Sequence, residues 1–164
     1  MSEAIRETLR AFYAGHRQPL YTYAVSITRQ REAAEDAIQR AFQQLLSRDT
    51  LPSDLRPYVF RCVRNAALDG LRRDQTRQES IFAADGNLES TAPLSAPPLS
   101  AAEIDAQLQR LSPDERETIV LKIYNALTFQ EIAELRGVPL PTVASWYRRG
   151  LEKLRALLVK ESLP

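Results

Sequence analysis

Thr128-Phe129-Gln130-Glu131-Ile132-Ala133-Glu134-Leu135-Arg136-Gly137-Val138-Pro139-Leu140-Pro141-Thr142-Val143-Ala144-Ser145-Trp146 is the stretch that decides the architecture. Thr128 stands three residues before Glu131, the spacing at which a hydroxyl and a carboxylate each satisfy an orphan N–H at a helix start. A short helix is therefore predicted from Thr128 to Gly137, the residue type that tolerates the positive φ of a helix end. A last helix is predicted from near Pro141 to about Lys160. Short helix, Gly-containing turn and longer basic helix form the helix-turn-helix plan. On that plan Ile132 and Ala133 pack inward, Val138 and Val143 fill the space between the helices, and Thr142, Ser145, Arg148 and Arg149 project outward. The motif points to DNA reading; a three-helix bundle packed without a ligand would show the same spacing.

Upstream, Ser112-Pro113-Asp114-Glu115 supplies an N-cap, a proline suited to the first helical position and a capping-box glutamate, so a helix is expected from there to about Tyr124. A shorter amphipathic helix precedes it, from Ala101 to Arg110. Between Glu79 and Ala102 the chain has three prolines, four serines, three acids and no base, with no sustained apolar period. That composition reads as a linker. The fold class expected is all-α, two small helical domains on a flexible tether: residues 1–78, a linker at 79–102, and residues 103–164.

The first domain holds 13 Arg and no Lys against nine acids, whereas the last balances nine bases with nine acids, so the net charge of +1 hides a basic N-terminal half. Helices are predicted there at residues 3–14, with Ile5, Leu9, Phe12 and Tyr13 on one face, and from about Gln18 to Thr28. A third, about Arg31 to Leu46, sets Ala34, Ile38, Ala41, Phe42 and Leu45 inward and Glu32, Glu35, Asp36, Gln39 and Gln43 outward. After a loop from Ser47 to Arg56, a fourth runs from about Pro57 to Arg77. At about 100° per residue Val59, Phe60, Val63, Ala66, Ala67, Gly70 and Leu71 gather on one side, and Arg61, Arg64, Asn65 and Arg72 opposite, with Arg73 and Arg77 extending the charge. Such a face is either a solvated one or a surface for phosphates.

Several chemistries are excluded by what is missing. One Cys and one His, Cys62 and His16, cannot make a metal cage, a disulfide framework or a nucleophile–base dyad. Cys62 is expected as a small core residue. The five glycines form no phosphate-cradling loop. Neither catalysis, a cofactor, a metal nor a small-molecule substrate is expected. No apolar run reaches the length of a membrane-spanning helix and the first residues lack the pattern of a signal peptide, so the expected location is cytoplasmic, without membrane insertion.

Two blocks of residues carry a family resemblance. Ala33-Ala34-Glu35-Asp36-Ala37-Ile38-Gln39-Arg40-Ala41-Phe42, followed by Leu55-Arg56-Pro57-Tyr58-Val59-Phe60-Arg61-Cys62-Val63-Arg64-Asn65-Ala66-Ala67-Leu68-Asp69-Gly70-Leu71-Arg72-Arg73, closely resembles region 2 of extracytoplasmic-function sigma factors. The stretch with Leu111-Ser112-Pro113-Asp114-Glu115-Arg116, Glu131-Ile132-Ala133-Glu134 and Gly137-Val138-Pro139 before Thr142-Val143 resembles their region 4. The resemblance implies a specificity subunit whose partners are core RNA polymerase, promoter DNA and an anti-sigma protein. It implies that Glu35, Asp36, Gln39 and Phe42 face the polymerase, although Phe42 also falls on the apolar stripe. It further implies that Arg61, Arg64, Asn65, Arg72 and Arg73 face the −10 element, and that Thr142, Ser145, Trp146, Arg148 and Arg149 face the −35 element. The loop Ser47 to Arg56 takes the place where such factors capture a base flipped from the duplex. Arg40 departs from the family pattern, which often has an acid there, and Ala144 and Trp146 stand where Lys and Arg are frequent. Trp146 either contacts DNA or folds back as core.

Two other functions fit part of the pattern. A standalone helix-turn-helix regulator accounts for residues 128–160 but gives no role to the helices at 31–46 and 57–77. A sigma mimic that sequesters an anti-sigma protein keeps both domain surfaces without needing promoter binding.

Overall fold

The computed structural model describes residues 2–81 and 106–162, and every regular element among them is helical. Most of the expected linker lies outside the described residues. The chain divides into two compact units, Met1–Ala92 and Pro93–Pro164.

The first unit consists of three helices that all pack on one another: α1 (Glu3–Thr28), α2 (Arg31–Leu46) and α3 (Leu55–Ile81). The two helices expected at residues 3–14 and 18–28 are a single α1 that passes through Pro19. A proline inside a helix removes one hydrogen bond and crowds the carbonyl four residues back. Here the apolar stripe keeps its phase across the interruption: Ile5, Leu9, Leu20, Tyr23 and Ala24 are buried, with Phe12, His16 and Pro19 half-buried between them. Burial along the whole length outweighs the local break. Arg29, left-handed at φ 61°, ends α1 with its N–H on the Val25 carbonyl, and α2 starts two residues later.

Ala34, Ala37, Ala41 and Leu45 of α2 meet Val59, Phe60, Val63 and Ala67 of α3 in the core, where the Tyr23 and Phe60 rings sit 5.7 Å apart. Leu71, expected inside, is 36% exposed. Residues 71–77 are all exposed. The helical period that placed Leu71 on the apolar side holds, but Leu71 borders an open groove, shared with Thr28 and Ala33, that the described residues leave unfilled.

In the second unit residues 106–108 are helical, followed by α4 (Pro113–Ile119), a π-helical turn (Val120–Tyr124), α5 (Phe129–Arg136) and α6 (Leu140–Ser162). The α-helix expected to reach Tyr124 widens after Ile119, with Asn125 N–H on the Val120 carbonyl and Leu127 N–H on that of Leu121. The wider turn brings Leu127, fully buried, into the core with Leu121 and Ile132. Helices α4 and α5 both pack on α6.

The approach of α4 to α6 depends on Gly150, which is buried. A Cβ there would lie 2.5 Å from Ile119 Cδ1 and 3.5 Å from Glu115 Cβ. Ile119 is itself buried, so it has little room to retreat. Gly150→Val should destabilise this unit by about 1 to 3 kcal/mol through overpacking. The chain has one Trp, Trp146. Its fluorescence during denaturation therefore reports this unit selectively.

Candidate nucleic-acid and protein-binding surfaces

The outward face of α2 follows from its apolar period. With Ala34, Ala37, Ile38, Ala41 and Leu45 committed to the core, Glu35, Asp36 and Gln39 are exposed. The four residues expected to face a protein partner nevertheless divide. Gln39 lies near the middle of that face and Glu35 on its Phe42 side. Asp36 lies on the α3 side, where it pairs with Arg40 one turn on (2.8 Å) and lines a groove with Ala66, Arg73 and Asp74. Phe42 lies on the α1 side, half-buried, with its ring edge-on to Tyr13 at 5.3 Å. It is neither wholly core nor wholly surface.

On α3, Arg61, Asn65, Arg72 and Arg73 are exposed and Arg64 is half-buried. Arg61, Asn65 and Arg72 fall within about 40° on the helix circumference and span about 16 Å of rise, so they form one line. Arg64 and Arg73 flank it on opposite sides. Arg72 reaches Asp69 at 3.5 Å, with both side chains mostly in solvent, and Arg73 Nε donates to the Asp69 carbonyl at 3.4 Å. The preceding loop is shorter than expected, since Leu55 and Arg56 already belong to α3. Ser47 ends α2 with its hydroxyl on the Gln44 carbonyl, and the Arg48 guanidinium lies 5.5 Å from the centre of the Tyr58 ring. Cys62 is half-buried instead of core. Burial pushes its thiol up, against the lowering influence of Arg48, Arg61 and a Tyr58 hydrogen bond. A thiol held protonated is a poor nucleophile.

The helix-turn-helix forms as its cap chemistry dictates. Glu131 N–H donates to Thr128 Oγ1 at 3.1 Å, Thr128 N–H donates to Glu131 Oε1 at 3.0 Å, and Gly137 takes φ 66°. Val143 is fully buried and Val138 half-buried between the helices. Of the outward set, Arg148 and Arg149 are exposed, whereas Thr142, Ser145 and Trp146 are half-buried. The helix wheel accounts for Trp146, which falls about 60° from Val143, whereas Arg148 and Arg149 lie opposite Val143 and Gly150; Ser145 shares their side of the helix and is half-buried all the same.

Trp146 turns back toward the end of α5, with the Arg136 guanidinium 4.9 Å from its ring centre. Arg136 is 10% exposed and joins α5 to α4, reaching Asp114 at 2.6 Å and Glu117 at 2.9 Å. Sequence reasoning missed Arg136. A cation in the last turn of a helix reads simply as complementing its dipole.

Glu115 likewise does more than its cap position indicates. Its N–H donates to Ser112 Oγ, as expected, but its carboxylate, 5% exposed, accepts from Lys153 Nζ at 2.9 Å on both oxygens. Burial alone would raise its pKa; Lys153, with Ser112 and Arg149 assisting, more than offsets that and holds it below the usual carboxylate value. A pKa lower in the folded state means stability present in full above the ordinary carboxylate range and lost as pH falls through the folded value. Lys153→Ala should therefore lower the melting temperature at neutral pH, and the gap from the parent should narrow as pH drops below about 4. A thermal unfolding series over pH checks this.

Among the described residues no cluster of three or more His, Cys, Asp or Glu could hold a metal ion, and no helix is long and apolar enough to cross a membrane.

Residues 12–77, covering most of α1–α3, match the family described as Sigma-70 region 2, and residues 101–154 match Sigma-70, region 4. The RNA polymerase sigma factor CarQ of Myxococcus xanthus is 30% identical over 95% of this chain and 92% of its own length. The ECF RNA polymerase sigma factor RpoE of Cereibacter sphaeroides is 28% identical over 76% of this chain and 69% of its own. The sigma factor RpoE of Bartonella quintana, solved in complex with the anti-sigma factor NepR, has the same fold, with a TM-score of 0.74 at 20% identity over 93% of this chain and 97% of that one. The two family regions, in order along one chain, together with a relative matched over nearly its whole length, show that this protein belongs to the extracytoplasmic-function sigma factors of the sigma-70 family, non-enzymatic subunits that direct RNA polymerase to promoters.

Proposed function

We propose that the exposed faces divide the work of transcription initiation among three helices. Residues 1–78 bind core polymerase and the −10 element, 79–102 connect, and 103–164 bind the −35 element. On α2, Glu35, Asp36, Gln39 and the outer edge of Phe42 meet the polymerase, where carboxylates suit a basic partner. On α3, Arg61, Arg64, Asn65, Arg72 and Arg73 take the non-template strand of the −10 element, the guanidiniums on phosphates and the amide on a base edge. On α6, Thr142, Ser145, Arg148 and Arg149 enter the major groove, and Trp146 holds that helix in position through Arg136. The observation that carries the reading is the single exposed line of Arg61, Asn65 and Arg72 along α3.

The Bartonella relative's complex with an anti-sigma factor supports the same kind of regulator for this chain. The site of action that goes with a polymerase partner is the cytoplasm. In vitro transcription of genomic DNA by core polymerase, with transcript starts mapped, tests the assignment on α6. The chain should produce starts absent from core alone. Arg148→Ala with Arg149→Ala should keep core binding and weaken use of those starts by about 1 to 3 kcal/mol for each side chain that reads a base. Equal use of every start would remove α6 from the DNA.

A further inference from the structure

We infer that the groove between α2 and α3 holds a backbone phosphate of the opened promoter strand and that Arg40, on α2, supplies one of its cations; this rests on the assignment of the α3 arginines to DNA. The groove has a volume of about 650 Å³. Arg40, Gln43 and Gln44 line it from α2, and Asp69, Arg72 and Arg73 from α3. Small Ala66, 7% exposed, leaves the space open.

Three guanidiniums, Arg40, Arg72 and Arg73, line this groove against Asp69 and against Asp36, which is bonded to Arg40, and the one net positive charge decides the sign of the ligand. Two features oppose an anion: the two carboxylates, and the carbonyl end of α2 at Ser47, where the helix dipole is negative. A cation on α2 offsets the second. Arg40 is placed for it, about two turns before that end and 42% exposed. Its Nε is engaged by Asp36 at 2.8 Å, and Arg73 uses Nε on the Asp69 carbonyl. A guanidinium has five donors in a planar fork, so each still has N–H groups for a phosphate. The Arg72–Asp69 pair, 3.5 Å long and 76% and 62% exposed, contributes little and gives way readily to a stronger anion.

Continuity with the α3 line identifies the ligand. Arg72 belongs to both the line and the groove, so the cations from Arg61 to Arg73 run over about 18 Å of helix. A single small anion fills one point of such a track. A polymer with regularly repeated phosphates follows all of it. Arg40 thus widens the strand-binding surface onto a second helix, on the side of α2 away from Phe42.

The test uses holoenzyme assembled from core polymerase and the full chain, on a promoter fragment taken from the mapped starts. Arg40→Ala should lower the slope of log K against log salt for open-complex formation by about 0.7, the contribution of one single-strand phosphate, while Arg40→Lys restores most of it. The slope is compared with core polymerase saturated by each variant, because Arg40 is bonded to Asp36, itself assigned to the polymerase. If Arg40→Ala leaves the slope unchanged while Arg61→Ala with Arg72→Ala lowers it, the groove inference is overturned and the α3 assignment stands. If neither changes the slope, both fail. A loss of core affinity at unchanged slope would make Arg40 a polymerase contact and likewise overturn the inference.

Discussion

Arg136→Ala is expected to bring the helix-turn-helix unit close to unfolding. The side chain sits 10% exposed between two carboxylates of α4 and against the Trp146 ring of α6, so three helices lose a common contact at once. Breaking a buried ion pair costs about 3 to 5 kcal/mol, because the surviving charge has lost its counter-charge. Glu117, 14% exposed, is that survivor; Asp114, 48% exposed, recovers water and adds little. A value near the lower end, about 3 kcal/mol, is still a large share of the roughly 4 to 10 kcal/mol that stabilises a unit of this size. Denaturation followed by the fluorescence of Trp146 measures it directly. A midpoint unchanged from the parent would show that Arg136 is a surface cation. The same arrangement decides how Trp146 acts. Trp146→Ala removes the ring contact, worth about 0.5 to 2 kcal/mol, and so should lower stability while leaving promoter sequence preference unaltered.

What was legible in the sequence is what local chemistry determines. Thr128 and Glu131 satisfy each other's backbone over one turn, and Gly137 needs only its own φ, so the helix-turn-helix could be placed to within a residue or two. The outward positions of Glu35, Gln39, Arg61, Asn65 and Arg72 follow from the helical period alone. Contacts between elements were not legible. Glu115 and Lys153 are 38 residues apart, and Arg136 meets α4 at a distance of 22 residues, so both depend on how the helices cross. The period that puts Arg40 on the surface does not say that α3 lies beside it. Pro19 shows the converse error: a strong local signal for a break was overridden by burial of Leu20, Tyr23 and Ala24 along one continuous stripe.

Loss of the α3 line should be the larger effect on function. Arg61→Ala combined with Arg72→Ala removes two cations from the face opposed to Val59, Val63 and Ala67 without touching the core. If each neutralises one phosphate of a single strand, the slope of log K against log salt for open-complex formation falls by about 1.4. Affinity should fall together with the slope, because fewer counterions are released. Core binding should persist, since α2 is unaltered. Open-complex formation by reconstituted holoenzyme, titrated over salt for the parent and this double variant, decides whether α3 binds the promoter strand. A shallower slope in the variant with core affinity retained is the expected result; an identical slope in parent and variant would return the arginine face of α3 to solvent.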